Sequence, residues 1–222
     1  MKNKAFTLAE VLITLGIIGV IAALTMPTMV NNGAKAKIGP ELASAVSTLS
    51  EGIRLFMDAN NADYLSVAMK KAGLADTSIN TLLTTLTDKG SEFYCIKTTG
   101  KASFEGKATA YSGDEEATEA IGHEALGTQF ILANGSVIGA ETADMRSRNI
   151  VFYTSSAANI YKKDRKKMRM GLHVFLLTVT DDGEVKGAGG PYHCTKAGMK
   201  DGTATGHGCA ADIEKNGWKV FY

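Results

Sequence analysis

Met1-Lys2-Asn3-Lys4-Ala5-Phe6-Thr7-Leu8-Ala9-Glu10-Val11-Leu12-Ile13-Thr14-Leu15-Gly16-Ile17-Ile18-Gly19-Val20-Ile21-Ala22-Ala23-Leu24-Thr25-Met26-Pro27 opens the chain and decides its reading. Residues 6–26 form an apolar run interrupted by one acid, Glu10, and closed by Pro27. As a helix rising ~1.5 Å per residue, the run spans roughly 31 Å, about the hydrocarbon thickness of a bilayer. Lys2 and Lys4 precede it and favour a cytoplasmic N-terminal end, so everything after Pro27 is expected outside the cytoplasm. An ordinary cleaved signal is the competing reading, with Ala22-Ala23 as a poor cleavage site. The length of the run and the acid inside it argue against that. A carboxylate in such a segment is costly and calls for a functional reason.

The segment Lys4-Ala5-Phe6-Thr7-Leu8-Ala9-Glu10-Val11-Leu12-Ile13 resembles the N-terminal signature of type IV prepilins and type II secretion pseudopilins. The resemblance implies a prepilin peptidase that cuts between Ala5 and Phe6 and methylates the new amine of Phe6. Glu10 then becomes the fifth mature residue, where the family carries its acid. Pro27 falls where many pilins have a helix-bending proline. Alanine replaces the glycine usual before the cut, and is small enough for the same role. An ion pair between Glu10 and the Phe6 amine of an adjacent subunit would set register, because a sliding helix would leave the acid unpaired in oil. Gly16 and Gly19, with Ala22 and Ala23 a turn further on, let helix backbones approach closely.

The resemblance lays the chain out as a leader (1–5), a transmembrane or filament-core helix (6–30), an amphipathic continuation (31–60) and a globular head (61–222). The expected fold is α+β: a long N-terminal helix packed on a small antiparallel sheet. After polar breaks at Asn31-Asn32-Gly33 and Gly39-Pro40, apolar residues recur at Leu42, Val46, Leu49, Ile53 and Phe56, one face of a helix. Asp58-Ala59-Asn60-Asn61 is a turn-rich stretch expected to end it. Residues 64–73 and 79–86 read as short helices. Gln129-Phe130-Ile131-Leu132, then Ala133-Asn134-Gly135, then Ser136-Val137-Ile138 reads as a hairpin. Residues 173–179, then Asp181-Asp182-Gly183, then 184–186 read as a second. Residues 93–96 and 218–222 are further strand candidates.

Charge is balanced, with 24 Lys and Arg against 23 Asp and Glu, so no global field argues for nucleic acid. Locally, Lys162, Lys163, Arg165, Lys166, Lys167 and Arg169 form a basic run, and Asp114, Glu115, Glu116, Glu119 and Glu124 an acidic one. Solvated loops explain both. Contact between stacked subunits is the sharper reading, and DNA or surface binding by the basic run a weaker one.

Three cysteines, Cys95, Cys194 and Cys209, would lie in an oxidising compartment and allow three single pairings. A Cys194–Cys209 bond would close a glycine-rich loop and add about 3 kcal/mol in the chain-entropy estimate. Many pilins similarly carry a disulfide-bounded loop late in the head. Pairing of Cys95 with either partner stays open. His193, Cys194, His207 and Cys209 form an alternative four-ligand metal set, though their spacing matches no familiar finger. Asp181, Asp182 and Glu184 could hold calcium, but a hairpin turn explains them. No catalytic constellation emerges, and neither an enzyme nor a cofactor is expected.

These observations lead to a structural subunit of a type IV pilus-like or type II secretion pseudopilus filament. The size of the head is in line with a minor subunit. Its expected partners are the prepilin peptidase, other pilin or pseudopilin subunits and the bacterial inner membrane. The precursor would sit there with its N-terminus cytoplasmic, before entering a periplasmic or cell-surface filament. The alternative is a membrane-tethered extracytoplasmic binding protein, metal-linked through the His and Cys set.

Overall fold

The computed structural model describes residues 7–74, 78–105, 125–141, 148–164, 167–189, 194 and 208–222. Its longest element is helix α1 (Leu8–Ala59), followed by α2 (Leu65–Lys71) and α3 (Ile79–Thr87). Strands β1 (Thr98–Ala102), β2 (Leu126–Leu132), β3 (Val137–Ala140) and β4 (Asn149–Tyr153) come next. Then follow α4 (Ala157–Lys163), β5 (Val174–Val179), β6 (Val185–Gly187) and α5 (Cys209–Lys215). The six strands form one antiparallel sheet in sequence order, so the α+β expectation holds. Two compact units divide between Lys37 and Ile38, inside α1.

Residues 38–59 of α1 belong to the second unit, and their apolar stripe is the main seam of its core. Leu42, Leu49 and Ile53 are fully buried and Phe56 nearly so, while Val46 is partly buried against them. This is the predicted face, extended by Ile38, Ala45 and Met57. Helix α1 runs on through the polar stretches at 31–33 and 39–40, as a helix that continues outward from the apolar run requires. Gly39 has another purpose. A Cβ there would collide with the Trp218 backbone carbonyl oxygen, so glycine lets the C-terminal segment lie against the helix. The helix ends at Ala59, where Asn61 takes a left-handed φ of 46°.

The sheet is buried on both faces. Ile150 and Phe152 of β4, with Phe175 and Leu177 of β5, face the core shared with α1, α2, α3 and α5. Val151 and Tyr153, with Val174 and Leu176, alternate onto a second core with Phe104, Met168, Met170 and Ala157 of α4. This is why β4 and β5 read as nearly unbroken apolar runs.

Both predicted hairpins form, each around a three-residue loop with a left-handed glycine at its third position. Gly135 (φ 84°) donates to the Leu132 carbonyl, and Leu132 donates to the Ser136 carbonyl. Gly183 (φ 81°) and Thr180 repeat the pattern with Glu184.

The other two strand candidates are corrected. In 93–96 the amides of Cys95 and Ile96 both donate to the Leu86 carbonyl, so the segment satisfies the C-terminal end of α3. In 218–222 the period-2 pattern is real, since Trp218, Val220 and Tyr222 all pack on the main core. Among the described residues no strand pairs with it, and Gly217 and Trp218 turn the chain with left-handed φ at its start. The true edge strand β1, Thr-Thr-Gly-Lys-Ala, has no apolar alternation to announce it.

A buried polar bridge ties the start of β2 to the second core. The Gln129 side chain accepts from the Phe104 amide (2.9 Å) and donates to the Phe104 carbonyl (2.8 Å), pairing that residue as a neighbouring strand would. Replacing Gln129 with Leu leaves both Phe104 groups buried and unpaired. The expected cost is about 2–4 kcal/mol, read as a lower urea midpoint at unchanged slope.

Candidate functional site: the N-terminal apolar helix

Over residues 8–24 of the first unit, most of the helical surface is exposed apolar side chain. Leu8 is 78 % exposed, Leu12, Ile13 and Ile18 each 61 %, and Leu24 72 %. A helix that is apolar all round is built for burial in another medium or among other helices. Among the described residues no helix is long and apolar enough to cross a membrane. Residues 8–24, whose side chains are described, come to roughly 25 Å at ~1.5 Å per residue, short of the ~30 Å hydrocarbon core.

The helix start is organised around Glu10. Its carboxylate accepts from the Thr7 amide (2.8 Å) and the Thr7 hydroxyl (2.9 Å), while the Glu10 amide donates back to that hydroxyl (3.3 Å). Thr7-Leu8-Ala9-Glu10 is therefore a reciprocal capping box, with Thr7 at the N-cap and Glu10 at the third position. Its signal in the sequence is a threonine three residues before a glutamate at the start of an apolar run, which the family resemblance of the same segment masks. Thr14 spends its hydroxyl on the carbonyls of Glu10 and Val11, both at 2.9 Å. That leaves no unsatisfied donor on the apolar surface.

Gly16 and Gly19 have no heavy atom within 4 Å of where a Cβ would stand. Their backbone is open to close approach by a neighbouring helix. Pro27 lies within α1. Ala5 and Phe6 lie outside the described residues, as does the acidic run 114–124.

Cys194 and Cys209 are joined in a disulfide, with Cα atoms 4.8 Å apart. Cys209 opens α5, and the Cys194 amide donates to Asp212 on the same helix (2.7 Å). The bond thus pins the segment after β6 to α5. Both thiols being consumed, neither is a thiolate donor for the metal set, and His193 and His207 lie outside the described residues. Cys95 is a free thiol, pushed up in pKa by burial and donating weakly to the Gly52 carbonyl (3.4 Å). Among the described residues no group of His, Cys, Asp and Glu is arranged to hold a metal ion.

The calcium candidates have structural work of their own. Helix α2 lacks a side-chain cap from Tyr64. Asp181, in the β5–β6 turn, supplies one from across the fold: its carbonyl accepts from the Leu65 amide (2.7 Å) and its carboxylate from the Ser66 amide (3.0 Å) and hydroxyl (3.1 Å). Arg148 completes the site at 2.9 Å. Burial acts to raise the Asp181 carboxyl, but the Ser66 hydrogen bonds and the Arg148 charge outweigh it and hold the carboxyl below its ordinary value. Asp182 is bonded to the Thr180 hydroxyl within its own turn.

Of the basic run, Lys162 and Lys163 occupy the last turn of α4, where positive charge complements the helix dipole. They and Lys167 are exposed, and Arg165 and Lys166 lie outside the described residues.

Replacing Asp181 with Ala should cost about 1–2 kcal/mol through the lost cap. Because the folded carboxyl is held low, its contribution is present above the ordinary carboxylate range and fades as pH falls through the folded value. The variant should lack that part of the acid sensitivity, which urea titrations at stepped pH will read.

Residues 1–26 match the family described as the Prokaryotic N-terminal methylation motif. The match supports the type IV prepilin and pseudopilin family, and it covers the N-terminal segment alone. No curated protein and no solved structure matches the chain.

Proposed function

We propose that the chain is a structural, non-enzymatic subunit of a type IV pilus-like or type II secretion pseudopilus-like filament. The observation that carries this reading is the methylation motif over residues 1–26, joined to a helix whose described apolar surface is bare. Prepilin peptidase cuts between Ala5 and Phe6 and methylates the Phe6 amine. Before assembly, residues 6–26 hold the chain in the inner membrane, with the head outside the cytoplasm. In the filament the same helix exchanges lipid for neighbouring helices, which approach at Gly16 and Gly19.

Glu10 has two partners in this scheme. In the lone chain it caps its own helix through Thr7. In the filament its carboxylate faces the Phe6 amine of the adjacent subunit, and the cost of an unpaired acid fixes the register. The head, outside the helical core, carries whatever contacts distinguish this subunit, in line with a minor component. The disulfide supports this location, since such bonds persist in oxidising compartments.

The mass of the N-terminal peptide from native membranes tests the processing. A peptide starting at N-methylated Phe6 is expected. An intact Met1 in cells that contain the peptidase would overturn processing, and a start near Leu24 would make the segment an ordinary signal. Glu10→Ala tests the register role: incorporation into sheared filaments should fall at least about tenfold while membrane levels hold, the loss expected from more than ~1.4 kcal/mol. Normal incorporation of the variant would sink the register proposal.

A further inference from the structure

Residues 169–173 form a tight turn where three distant parts of the second unit meet. The turn is closed by backbone bonds from the amides of His173 (2.9 Å) and Val174 (3.2 Å) to the Arg169 carbonyl. It is also closed by a side chain: His173 Nδ1 accepts from the Arg169 amide at 3.1 Å. Two carbonyls of the turn are then used by other segments. The His173 carbonyl accepts from the Thr154 amide (2.9 Å), at the junction of β4 and α4. The Gly171 carbonyl accepts from the Tyr222 hydroxyl (2.5 Å), holding a tail whose last ring is 8 % exposed.

Both attachments lead to α1. Ser155, next to Thr154, donates its amide (2.8 Å) and its hydroxyl to the Glu41 carboxylate. Trp218, four residues before Tyr222, lays its carbonyl against Gly39. The turn is therefore the common anchor of the two segments that grip the start of the docked part of α1.

We propose that His173 is an acid-sensitive clasp, whose protonation opens the 169–173 turn and frees the C-terminal tail from it. The chemistry is local. A neutral imidazole with its proton on Nε2 presents a lone pair at Nδ1, which the Arg169 amide uses. A second proton at Nδ1 turns that acceptor into a donor facing a donor, and sets a cation beside the Arg169 guanidinium. The ring must then leave its site, and the turn loses its side-chain closure while the Gly171 carbonyl loses its fixed position. Arg169, on the same turn, is the charge that acts on His173, and Glu41 reaches the junction from α1 through Ser155. The Thr154 hydroxyl and the Tyr222 phenol carry no charge in acid.

The direction agrees with the surroundings. Burial and the Arg169 charge push the His173 imidazole down from its ordinary 6.5 to about 4. The folded state thus favours the neutral ring. Its advantage is whole above pH 6.5 and declines as pH falls from there toward 4, where the clasp itself protonates.

The chain has a single tryptophan, Trp218, so its emission reports on the tail alone. The test uses the full chain in detergent micelles, with emission and amide exchange followed from pH 7 to 3.5. The wild type should show a red shift with its midpoint near pH 4. Exchange at Leu172 and His173, corrected for the intrinsic rate, should speed up by about tenfold across the same range.

His173→Asn places Oδ1 where Nδ1 stood and cannot be protonated there. It should keep the neutral-pH emission and lose the acid shift. Glu41→Gln should keep the shift. Retention of the shift in H173N, or its loss in E41Q, would overturn the proposal. Should H173N fail to fold, titration of the wild-type His173 and Tyr222 ring resonances decides the matter. A shared midpoint near 4 supports the clasp. Titration of His173 at its ordinary value with no response from Tyr222 refutes it.

Discussion

The docking of residues 38–59 of α1 against the sheet is the contact on which the second unit depends. Leu42, Leu49, Ile53 and Phe56 bring the helix so close that its neighbours must thin out to receive it. Gly52 faces Ile96, where a Cβ would stand 2.6 Å from Cγ1. Gly183 faces Met57 in the same way, at 2.6 Å from its sulfur, and its left-handed φ also suits the β5–β6 turn. The polar side of the helix is used as well. Ser50 accepts from the Val185 amide (3.0 Å), and Glu214 of α5 accepts from the Gly187 amide (2.7 Å). Both amides belong to β6, whose residues Val185, Lys186 and Gly187 register with Val179, Thr178 and Leu177 of β5. An edge that would otherwise present free amides is closed by side chains from two helices.

What the sequence disclosed follows from how strongly each segment is patterned. The stripe from Leu42 to Phe56 repeats for four turns and buries as written. The two hairpins combine apolar strands with an obligatory left-handed glycine, a pairing few other structures need. The failures share a different cause. Residues 93–96 and 218–222 are apolar because they enter the core, yet the partner that would make them strands is lacking in the first case to a helix cap and in the second to two left-handed residues. The short helices α4 and α5 are held by tertiary contact rather than by propensity. Gly187 is a strand residue kept small because a Cβ would meet the backbone of Ala211 in α5.

The functional segment was legible for the opposite reason. Its pattern answers to a medium or partner outside the chain, so no internal packing has to be solved to read it. The same helix changes character along its length. Residues 8–24 are apolar on every side, whereas from Ile38 onward only one face is apolar and the rest carries Ser, Glu and Arg. Asn31, Asn32, Lys35 and Lys37 lie between the two regimes. The helix continues through them, because polar residues by themselves do not break a helical backbone.

Under the proposed function, the single chain and the assembly place different demands on Glu10. The cap through Thr7 satisfies two orphan donors, the Thr7 and Glu10 amides, at an exposed helix start. Such an interaction is strong enough to order the first turn and weak enough to be surrendered. An amine from a neighbouring chain, met in a low-dielectric core, offers the carboxylate a charged partner whose loss is far more costly than the loss of a cap. The capping box therefore keeps the acid satisfied while the chain is alone, without competing seriously once a better partner arrives. Replacing Thr7 would remove that holding arrangement and leave the proposed inter-subunit pair intact. The two roles of Glu10 are thus separable by residue as well as by stage.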